Sequence, residues 1–458
     1  MTRTGLVIAF LCAAGFGALA AQQPVADTDV FWHLATARDA LSRGVGGVDF
    51  FSWTAAGSRL AADQWLGQIA LYAAYVAGEW RGIVALRTLA VVALLLCVIA
   101  SALPAARGRP LIAIVASVPA IFLTKYVWVD RPELFGLVCF ALLLVLLRAG
   151  RAGSDRALFA AAALIAVWAN VHGSFALGVV VTLLAAAEGL WGDRARRRAY
   201  VLTVAGALVA PLLTPALVGV WSAPGSHFLS PPREIAEWGV VDPRTPVGML
   251  YVATLALVIA CAFVGRATPA RELVVLVPVT FLSFTAIRQA PLLAIAAAPL
   301  FAARLDALAS RYLALRPMRP APPRADALVG GAAAVLLAVA IGLAPAALDE
   351  SIYPVAALGA LPPGPGLFHE YDWGGWLIWR APGTPVFVDG RLVPYRGAIL
   401  DDYRAVMAAA PTWQQIVARR GIRAILVRPS EPLATRARDV GWRQVASSDH
   451  FVLLVPPR

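Results

Sequence analysis

The chain has 458 residues, of which 60% are hydrophobic and 14% are charged, and its mean hydropathy is +0.73. Because soluble globular proteins contain about 25% charged residues, this composition excludes an ordinary soluble enzyme. The formal net charge of +12 would suggest nucleic-acid binding in a soluble protein, but the arginines lie in short connectors between apolar runs. This placement is typical of a membrane protein and excludes a nucleic acid as the partner.

Long apolar runs predict an all-α polytopic membrane domain with about eleven transmembrane helices. A helix needs roughly 20 apolar residues to cross a bilayer. The candidate spans lie at 5–21, 82–104, 110–127, 133–148, 157–171, 174–191, 199–220, 247–264, 272–287, 289–303 and 326–346. Breaks at His172-Gly173-Ser174 and at Arg288-Gln289 leave open whether each flanking pair forms two spans or one re-entrant feature. The first run, with Ala18-Leu19-Ala20 before Ala21, also fits a cleavable signal peptide.

The distribution of arginine predicts the orientation in the membrane. With the N-terminus in the cytoplasm, alternate short connectors such as 194–198 and 304–324 are rich in Arg, as the positive-inside rule requires. Loops 22–81 and 222–246 and the tail from 347 onward are then exported from a bacterial inner membrane, and polar chemistry is expected on that face. All four cysteines lie inside apolar runs, so we expect core thiols rather than disulfides.

Two of the exported segments have patterns of secondary structure. Loop 22–81 contains two amphipathic segments, Asp29–Leu41 and Gln64–Val76, which predict helices lying at the membrane interface. The tail predicts a small α/β domain. Its expected strands are 385–388, 424–427 and 451–455, and its expected helices are 399–409 and 412–420. The chain is therefore predicted to have a membrane domain at 1–346 and an exported domain at 347–458.

The densest polar group follows the first apolar run, in Asp27-Thr28-Asp29-Val30-Phe31-Trp32-His33. Two carboxylates and an imidazole at a membrane surface can accept a proton from a hydroxyl group or bind a cation. A helix N-cap formed by Asp27, Thr28 or Asp29 explains the same residues. His33 alone also fits an interfacial histidine, so both interpretations stay open.

This stretch resembles the Asp-Pro-aromatic-aromatic-(His/Asn)-Tyr-Arg segment of oligosaccharyltransferase catalytic subunits, with Asp29, His33 and Arg38 in similar places. More closely, the chain looks like a bacterial family of polytopic glycosyltransferases of the GT-C class, and it is distantly similar to protein O-mannosyltransferases. The matching motifs occur at 27–36, 49–57, 64–66, 131–132, 168–174, 237–238 and 388–391. The chain departs from these relatives at Glu133, where they often have His, and at Asp63-Gln64, where they have His-Glu.

The resemblance implies that a sugar carried on a polyprenyl phosphate is transferred to a hydroxyl group of a lipid, glycan or protein, usually with inversion. It implies Asp29 as the base and Asp27 as second choice. The cations expected to offset the charge of the departing phosphate are Lys125, Arg131 and Arg288. The expected substrate contacts are His33, Asn170, His172 and Glu237. The expected ligands of Mg²⁺ or Mn²⁺, for a metal-dependent member of the class, are Asp29, Asp130 and Glu133.

Most of these groups also have a structural explanation. Asp130-Arg131-Pro132-Glu133 fits the start of a helix with Pro in its first position. Asn170 and His172 fit a turn at Gly173, and Glu237 with Glu234 fits a solvated loop. The turns at 371–376 and 389–391 are interpreted as structure of the tail domain, and the sequence leaves open whether this domain selects the acceptor or shields the membrane cavity from water.

Two other functions stay open beside the glycosyltransferase. A transporter or flippase typically places ionisable groups within its spans, and here only Arg87 and Glu188 lie well inside apolar runs. A non-catalytic membrane scaffold whose tail binds a partner is also compatible with the sequence, because a resemblance in fold does not establish function.

Overall fold

The computed structural model describes residues 2–60, 62, 64–222, 224–225, 236–263, 268–313, 321–345 and 347–457. Contacts divide the chain into two compact units. The membrane unit comprises residues 1–24, 62–67 and 74–346, and the loop–tail unit comprises residues 25–61, 68–73 and 347–458. The sequence placed the whole of loop 22–81 in the membrane domain, whereas most of this loop groups with the tail.

The membrane unit consists of apolar helices. Apart from α2 (Val30–Arg43), which belongs to the loop–tail unit, the α-helices of the described ranges up to residue 342 include α1 (Arg3–Ala21), α3 (Trp65–Ala102), α4 (Pro110–Ala116), α5 (Val118–Lys125), α6 (Pro132–Arg151), α7 (Asp155–Val171), α8 (Phe175–Gly192), α9 (Arg197–Val209), α10 (Pro246–Phe263), α11 (Ala270–Ser283), α12 (Ala290–Tyr312) and α13 (Pro323–Gly342). Their Leu, Val, Ile and Ala side chains form one large buried core.

Seven helices in the described part of the chain are long and apolar enough to cross a membrane, so the chain is a multi-pass membrane protein. The predicted number of eleven spans is not confirmed. All eleven runs contain helix, but α7, α9 and α11 have only 17, 13 and 14 residues, and the run at 110–127 is divided into α4 and α5. Pro119 and Pro211 explain two of these interruptions, because proline cannot donate a backbone hydrogen bond within a helix.

The N-terminal helix α1 is packed into the membrane unit at both ends. Near its start, Oγ1 of Thr4 donates a hydrogen bond to Asp326 at 3.1 Å. Just after its end, Nε2 of Gln22 donates to the carbonyl oxygen of Ala340 at 3.2 Å. Both partners belong to α13. These contacts join α1 to α13, and cleavage of the segment 5–21 as a signal peptide stays an open alternative.

Both amphipathic segments of the first loop form helices. The segment 29–41 forms α2, whose first two turns are buried. The segment 64–76 forms the first part of α3, and the helical geometry of α3 breaks at Gly78 and Glu79. This break separates the amphipathic part of α3 from the span predicted at 82–104.

The tail forms the predicted small α/β fold around a four-stranded sheet. The strands are β1 (Leu367–His369), β2 (Ala424–Val427), β3 (Arg443–Ser447) and β4 (Val452–Val455), and the helices are α14 (Gly374–Arg380), α15 (Ala398–Met407), α16 (Trp413–Arg420) and α17 (Pro432–Asp439). The strand order is β1-β2-β4-β3, with β1 parallel to β2 and the other pairs antiparallel. The strands predicted at 424–427 and 451–455 and both predicted helices are confirmed.

The strand predicted at 385–388 is wrong, because this extended segment does not join the sheet. Instead, the N–H of Val386 donates to the carbonyl oxygen of Phe51 at 2.9 Å, and the N–H of Trp53 donates to the carbonyl oxygen of Val386 at 3.1 Å. The buried, apolar character of 385–388 therefore reflects its contact with the first loop, which is part of the same unit.

Candidate functional site

The turn before α2 gives its two aspartates different roles. Oδ1 of Asp27 accepts a hydrogen bond from the N–H of Asp29 at 2.9 Å, so Asp27 stabilises the turn itself. Asp29 occupies the N-cap position of α2, but its side chain makes no capping hydrogen bond. The capping explanation that the sequence left open therefore does not apply to the carboxylate of Asp29.

The carboxylate of Asp29 lies directly against Gly390 of the tail. A Cβ atom at Gly390 would be 1.8 Å from Oδ1 of Asp29 and 2.9 Å from Nε1 of Trp32. Real carbon–oxygen contacts are never this short, so only glycine fits at this position while Asp29 stays in place. The predicted base and the tail motif 388–391 thus meet in one place within the loop–tail unit.

Two further glycines bring α14 close to the same turn. A Cβ atom at Gly374 would lie 2.2 Å from the carbonyl oxygen of Val388, and one at Gly375 would lie 2.9 Å from the carbonyl oxygen of Thr28. The segment 371–376 is therefore packed against both the Asp27–Asp29 turn and the 388–391 turn. Its Gly-Gly pair permits this close approach of backbones.

A buried polar network holds the 388–391 turn. Nε of Arg391 donates to Oδ1 of Asp389 at 2.7 Å, and the hydroxyl group of Tyr395 donates to the other oxygen of that carboxylate. Nη1 of Arg391 also forms an ion pair of 3.0 Å with Asp49 of the first loop. Asp49 in turn accepts hydrogen bonds from the N–H of Phe51 and the hydroxyl group of Ser52. The network therefore joins the tail turn to the first loop.

Burial and charge shift the pKa values of this network in consistent directions. Burial alone would raise the pKa of Asp389, but the positive charge and hydrogen bonds of Arg391 outweigh it and lower this pKa. Burial and the negative charge of Asp389 raise the pKa of Tyr395 well above its usual value. The carboxylate of Asp389 is therefore charged and Tyr395 is neutral at neutral pH.

His33 is packed inside the loop–tail unit. Its side chain is 2% exposed, its Nδ1 lies 3.3 Å from Nε2 of Gln68, and its ring centroid is 3.6 Å from that of Trp32. In this arrangement the imidazole of His33 packs against the indole of Trp32. A direct substrate contact of His33 stays a prediction.

A second polar cluster lies in the membrane unit, around Arg288. Its guanidinium contacts the carboxylates of Glu133 and Glu237, each at 2.9 Å, and lies over the ring of Trp238 at 4.5 Å. Arg131 is 3.7 Å from the same oxygen of Glu237. Two guanidinium groups therefore converge on one carboxylate oxygen, a geometry that also suits a phosphate oxygen.

Asp130 is part of a buried ion pair in the membrane unit. Its Oδ2 accepts a hydrogen bond from Nη1 of Arg87 at 2.8 Å, and both side chains are at least 95% buried. The same guanidinium donates to the backbone carbonyl oxygens of Ala20, Gln23 and Pro24. Arg87 thus ties Asp130 to the segment that follows α1.

The remaining candidates in the membrane unit occupy different surroundings. Oδ1 of Asn170 accepts a hydrogen bond from Nε1 of Trp65 at 2.6 Å, and its Nδ2 donates to the carbonyl oxygens of Ala166 and Leu213. His172 is partly exposed and lies 2.7 Å from the hydroxyl group of Ser174. The side chain of Lys125 is exposed at the end of α5, and Glu234 lies outside the described residues.

Two of the three predicted metal ligands are engaged in ion pairs. Asp130 is paired with Arg87 and Glu133 with Arg288. Throughout the described ranges, no group of three or more His, Cys, Asp or Glu side chains is placed to hold a metal ion. Ligation of Mg²⁺ or Mn²⁺ by Asp29, Asp130 and Glu133 stays a prediction, and the mechanism below uses no metal.

The sequence singles out Asp29 as a candidate but does not indicate its neighbours in the tail. In the sequence, Asp389, Gly390 and Arg391 form a motif that indicates only structure of the tail domain. Asp49 belonged to another quoted motif, at 49–57. The shared signal was that both motifs belong to the same resemblance, but nothing in the sequence shows that they touch.

The chain matches no protein-family model and no curated protein. Its fold is similar to solved structures of an oligosaccharyltransferase from Archaeoglobus fulgidus. The apo form has a TM-score of 0.52 and 10% identity, covering 91% of this chain and 69% of that one. The form tethered to an acceptor peptide containing the NVT sequon has a TM-score of 0.54 and 10% identity, covering 91% and 68%. The complex of the enzyme, AglB, with an inhibitory peptide and a dolichol-phosphate has a TM-score of 0.54 and 10% identity, covering 92% and 69%.

This similarity confirms the predicted GT-C-like fold and its likeness to oligosaccharyltransferase catalytic subunits. At 10% identity it concerns the fold alone, because one fold can support different functions.

Proposed function

We propose that this protein is a membrane glycosyltransferase. It transfers a sugar from a polyprenyl phosphate to a hydroxyl group of a lipid, glycan or protein on the exported face of a bacterial inner membrane. The observation that carries the proposal is the carboxylate of Asp29, which is partly exposed and lies against the tail turn at Gly390, within a fold similar to that of a glycosyltransferase. The dolichol-phosphate bound to one of the similar structures supports a lipid phosphate as the leaving group.

In the proposed reaction, Asp29 accepts the proton of the acceptor hydroxyl group as the oxygen attacks the anomeric carbon of the sugar. The bond between that carbon and the phosphate oxygen breaks, and its electron pair leaves with the polyprenyl phosphate. Attack from the side opposite the leaving group inverts the anomeric configuration. General-base catalysis of this kind contributes roughly 10²- to 10⁴-fold to the rate.

The Arg288 cluster is the proposed site for the phosphate of the donor. Arg288 and Arg131 both contact Glu237, so an incoming phosphate competes with this carboxylate for the same donors. Charge-assisted hydrogen bonds from Arg288 and Arg131 then stabilise the phosphate as negative charge develops on it. Lys125 is the third proposed cation, and Asn170, His172, His33 and Glu237 complete the proposed substrate contacts.

The proposal is tested by measuring release of polyprenyl phosphate from purified full-length protein in lipid. The substrates are a panel of polyprenyl-phosphate sugars mixed with a membrane-glycan extract. We expect turnover by the wild type and a loss of roughly 10²- to 10⁴-fold in Asp29→Asn, because the amide cannot accept the proton. Asp401→Asn is the matched control, since Asp401 is 73% exposed in the same unit and should have no effect.

Full activity of Asp29→Asn in a correctly inserted protein would contradict the assignment of the base. Absence of turnover with every donor would favour the transporter or the scaffold instead. For a transporter, the relevant feature is the buried pair of Arg87 and Asp130, because ionisable groups within a membrane domain often mark a transport path. Arg87 of this pair also donates hydrogen bonds to backbone carbonyl oxygens, which is typical of a structural ion pair.

A further inference from the structure

We propose that the tail turn Asp389-Gly390-Arg391 is a positioning element for Asp29, with Gly390 and Arg391 as its positioning residues. The inference rests on the proposed function, in which Asp29 is the base. It assigns to the tail a part in the active site.

Gly390 restricts the position of the Asp29 carboxylate sterically. The Cβ atom of any other residue at position 390 would lie 1.8 Å from Oδ1 and 2.7 Å from Cγ of Asp29. The carboxylate would have to rotate or shift to relieve such an overlap. Gly390 therefore determines where the carboxylate of Asp29 can be.

The turn is also held by contacts within the tail and with the first loop. Arg391 binds Asp389 within the turn and Asp49 in the first loop, and its side chain is 8% exposed. Asp49 lies in the same loop segment, 25–61, as Asp29. The following residue, Leu392, has a φ of 49°, a conformation that a non-glycine residue keeps only where its surroundings impose it.

The indole of Trp32 also lies close to Gly390. Its Nε1 is buried without a hydrogen-bond partner among the described residues, and a Cβ atom at Gly390 would lie 2.9 Å from it. Any bulk at position 390 would therefore disturb the indole and the carboxylate together. Both groups line one side of the backbone of the turn.

The chemical consequence follows from the distance dependence of general-base catalysis. A base must lie within about 2.6 to 3.2 Å of the hydroxyl oxygen whose proton it accepts. A displacement of about 1 Å can reduce the rate about 100-fold. A shift of the turn should therefore reduce kcat and leave the KM for the donor nearly unchanged, because the donor phosphate is proposed to bind in the membrane unit.

The experiment compares Gly390→Ala with Gly383→Ala in the full-length protein in lipid. Gly383 lies in the same unit, and a Cβ atom there would contact nothing within 4 Å. We expect Gly390→Ala to lower kcat at least 10-fold with little change in donor KM, and Gly383→Ala to behave as the wild type. Equal kcat values for the two variants, when Asp29→Asn is inactive, would overturn the inference but leave the proposed function intact.

A double-mutant cycle tests the contact without relying on activity. Gly390→Ala should lower the thermal midpoint of the loop–tail unit in the wild type, and by less in an Asp29→Ala background, because Asp29→Ala removes the clashing carboxylate. Equal effects of Gly390→Ala in both backgrounds would mean that the two residues are not coupled, and the inference would be wrong. If Asp29→Asn stays active while the cycle shows coupling, the proposed function fails instead.

Arg391→Lys provides a second variant that keeps the positive charge. Lysine lacks the planar fork that binds Asp389 and reaches Asp49 at the same time. We expect a lower kcat with an unchanged donor KM, as for Gly390→Ala. A kcat equal to that of the wild type would contradict the role of Arg391 in positioning.

Discussion

Asp29 in the loop–tail unit and Arg288 in the membrane unit are held in place by different means. Asp29 is placed by the close approach of its carboxylate to the backbone at Gly390. Arg288 is placed by two carboxylates, Glu133 and Glu237. The difference suits the two proposed tasks, because a base must be held at a fixed distance from the acceptor hydroxyl group, whereas an anion site can be stabilised by carboxylates until the anion arrives.

The largest effect on stability is expected from removal of the ion pair that holds the tail turn. Arg391→Met leaves Asp389 buried without its cation, and breaking a buried ion pair costs about 3 to 5 kcal/mol. We expect a loss of this size in the free energy of unfolding of the loop–tail unit, measured by thermal or denaturant unfolding of the full-length protein.

The control for this variant is Arg404→Met in the same unit. Arg404 forms a surface pair with Asp401 at 3.5 Å and is 45% exposed, and exposed pairs contribute about 0 to 1 kcal/mol. Similar losses in the two variants would show that burial of the Arg391 network does not matter.

Removing the cation of the membrane unit should affect activity rather than folding of the tail. In Arg288→Gln, the donor phosphate loses a bidentate partner, and loss of one such electrostatic contact typically costs about 10²- to 10³-fold. We expect kcat/KM for the polyprenyl-phosphate sugar to fall by this factor, measured by the release assay. Arg244→Gln, a change of an exposed arginine in the same unit, should leave kcat/KM unchanged, and an equal loss there would argue against a specific phosphate site.

Acid pH should lower the free energy of unfolding of the loop–tail unit. Burial lowers the pKa of His369 to about 4; its Nε2 accepts a hydrogen bond from the N–H of Phe387, and its Nδ1 faces the carbonyl oxygen of Glu370. The unfolded chain binds a proton at His369 near pH 6.5, whereas the folded unit does not. The free energy of unfolding should therefore fall by roughly 3 kcal/mol between about pH 6.5 and pH 4.

This pH dependence can be checked by the thermal midpoint at pH 7 and at pH 4.5. His450→Gln, a change of an exposed histidine in the same unit, should show the same pH dependence as the wild type. A midpoint that does not change with pH in the wild type would contradict a buried neutral His369. The lowered pKa of Asp389 adds a further loss of stability at lower pH, when this carboxylate becomes protonated.

Much of the helical architecture could be predicted from apolar runs, because each run must bury or embed its side chains. The number of spans could not, since Pro119 and Pro211 shorten two runs whose composition alone is apolar enough. In the tail, the buried strand 424–427 was predictable from its Ala, Ile, Leu and Val side chains. Strand β3 was missed because Arg443–Ser447 is mostly polar and exposed.

In the candidate site, Asp29 could be predicted from the sequence, but its contact with Gly390 could not. Asp29 could be found because it stands in a dense polar motif after the first span. The role of Gly390 could not, because a glycine shows its purpose only when the atoms near it are known. The contact between Asp29 and Gly390 joins two distant parts of the chain, and no local pattern in the sequence encodes it.

We propose that Asp29 acts in the chemical step and that Arg288 binds the donor phosphate. The most direct test measures donor binding and the single-turnover rate on Asp29→Asn and Arg288→Gln side by side. We expect Asp29→Asn to bind the donor as the wild type does but to transfer the sugar roughly 10²- to 10⁴-fold more slowly. We expect Arg288→Gln to bind the donor more weakly. Weaker donor binding by Asp29→Asn, with an unchanged single-turnover rate, would contradict the account.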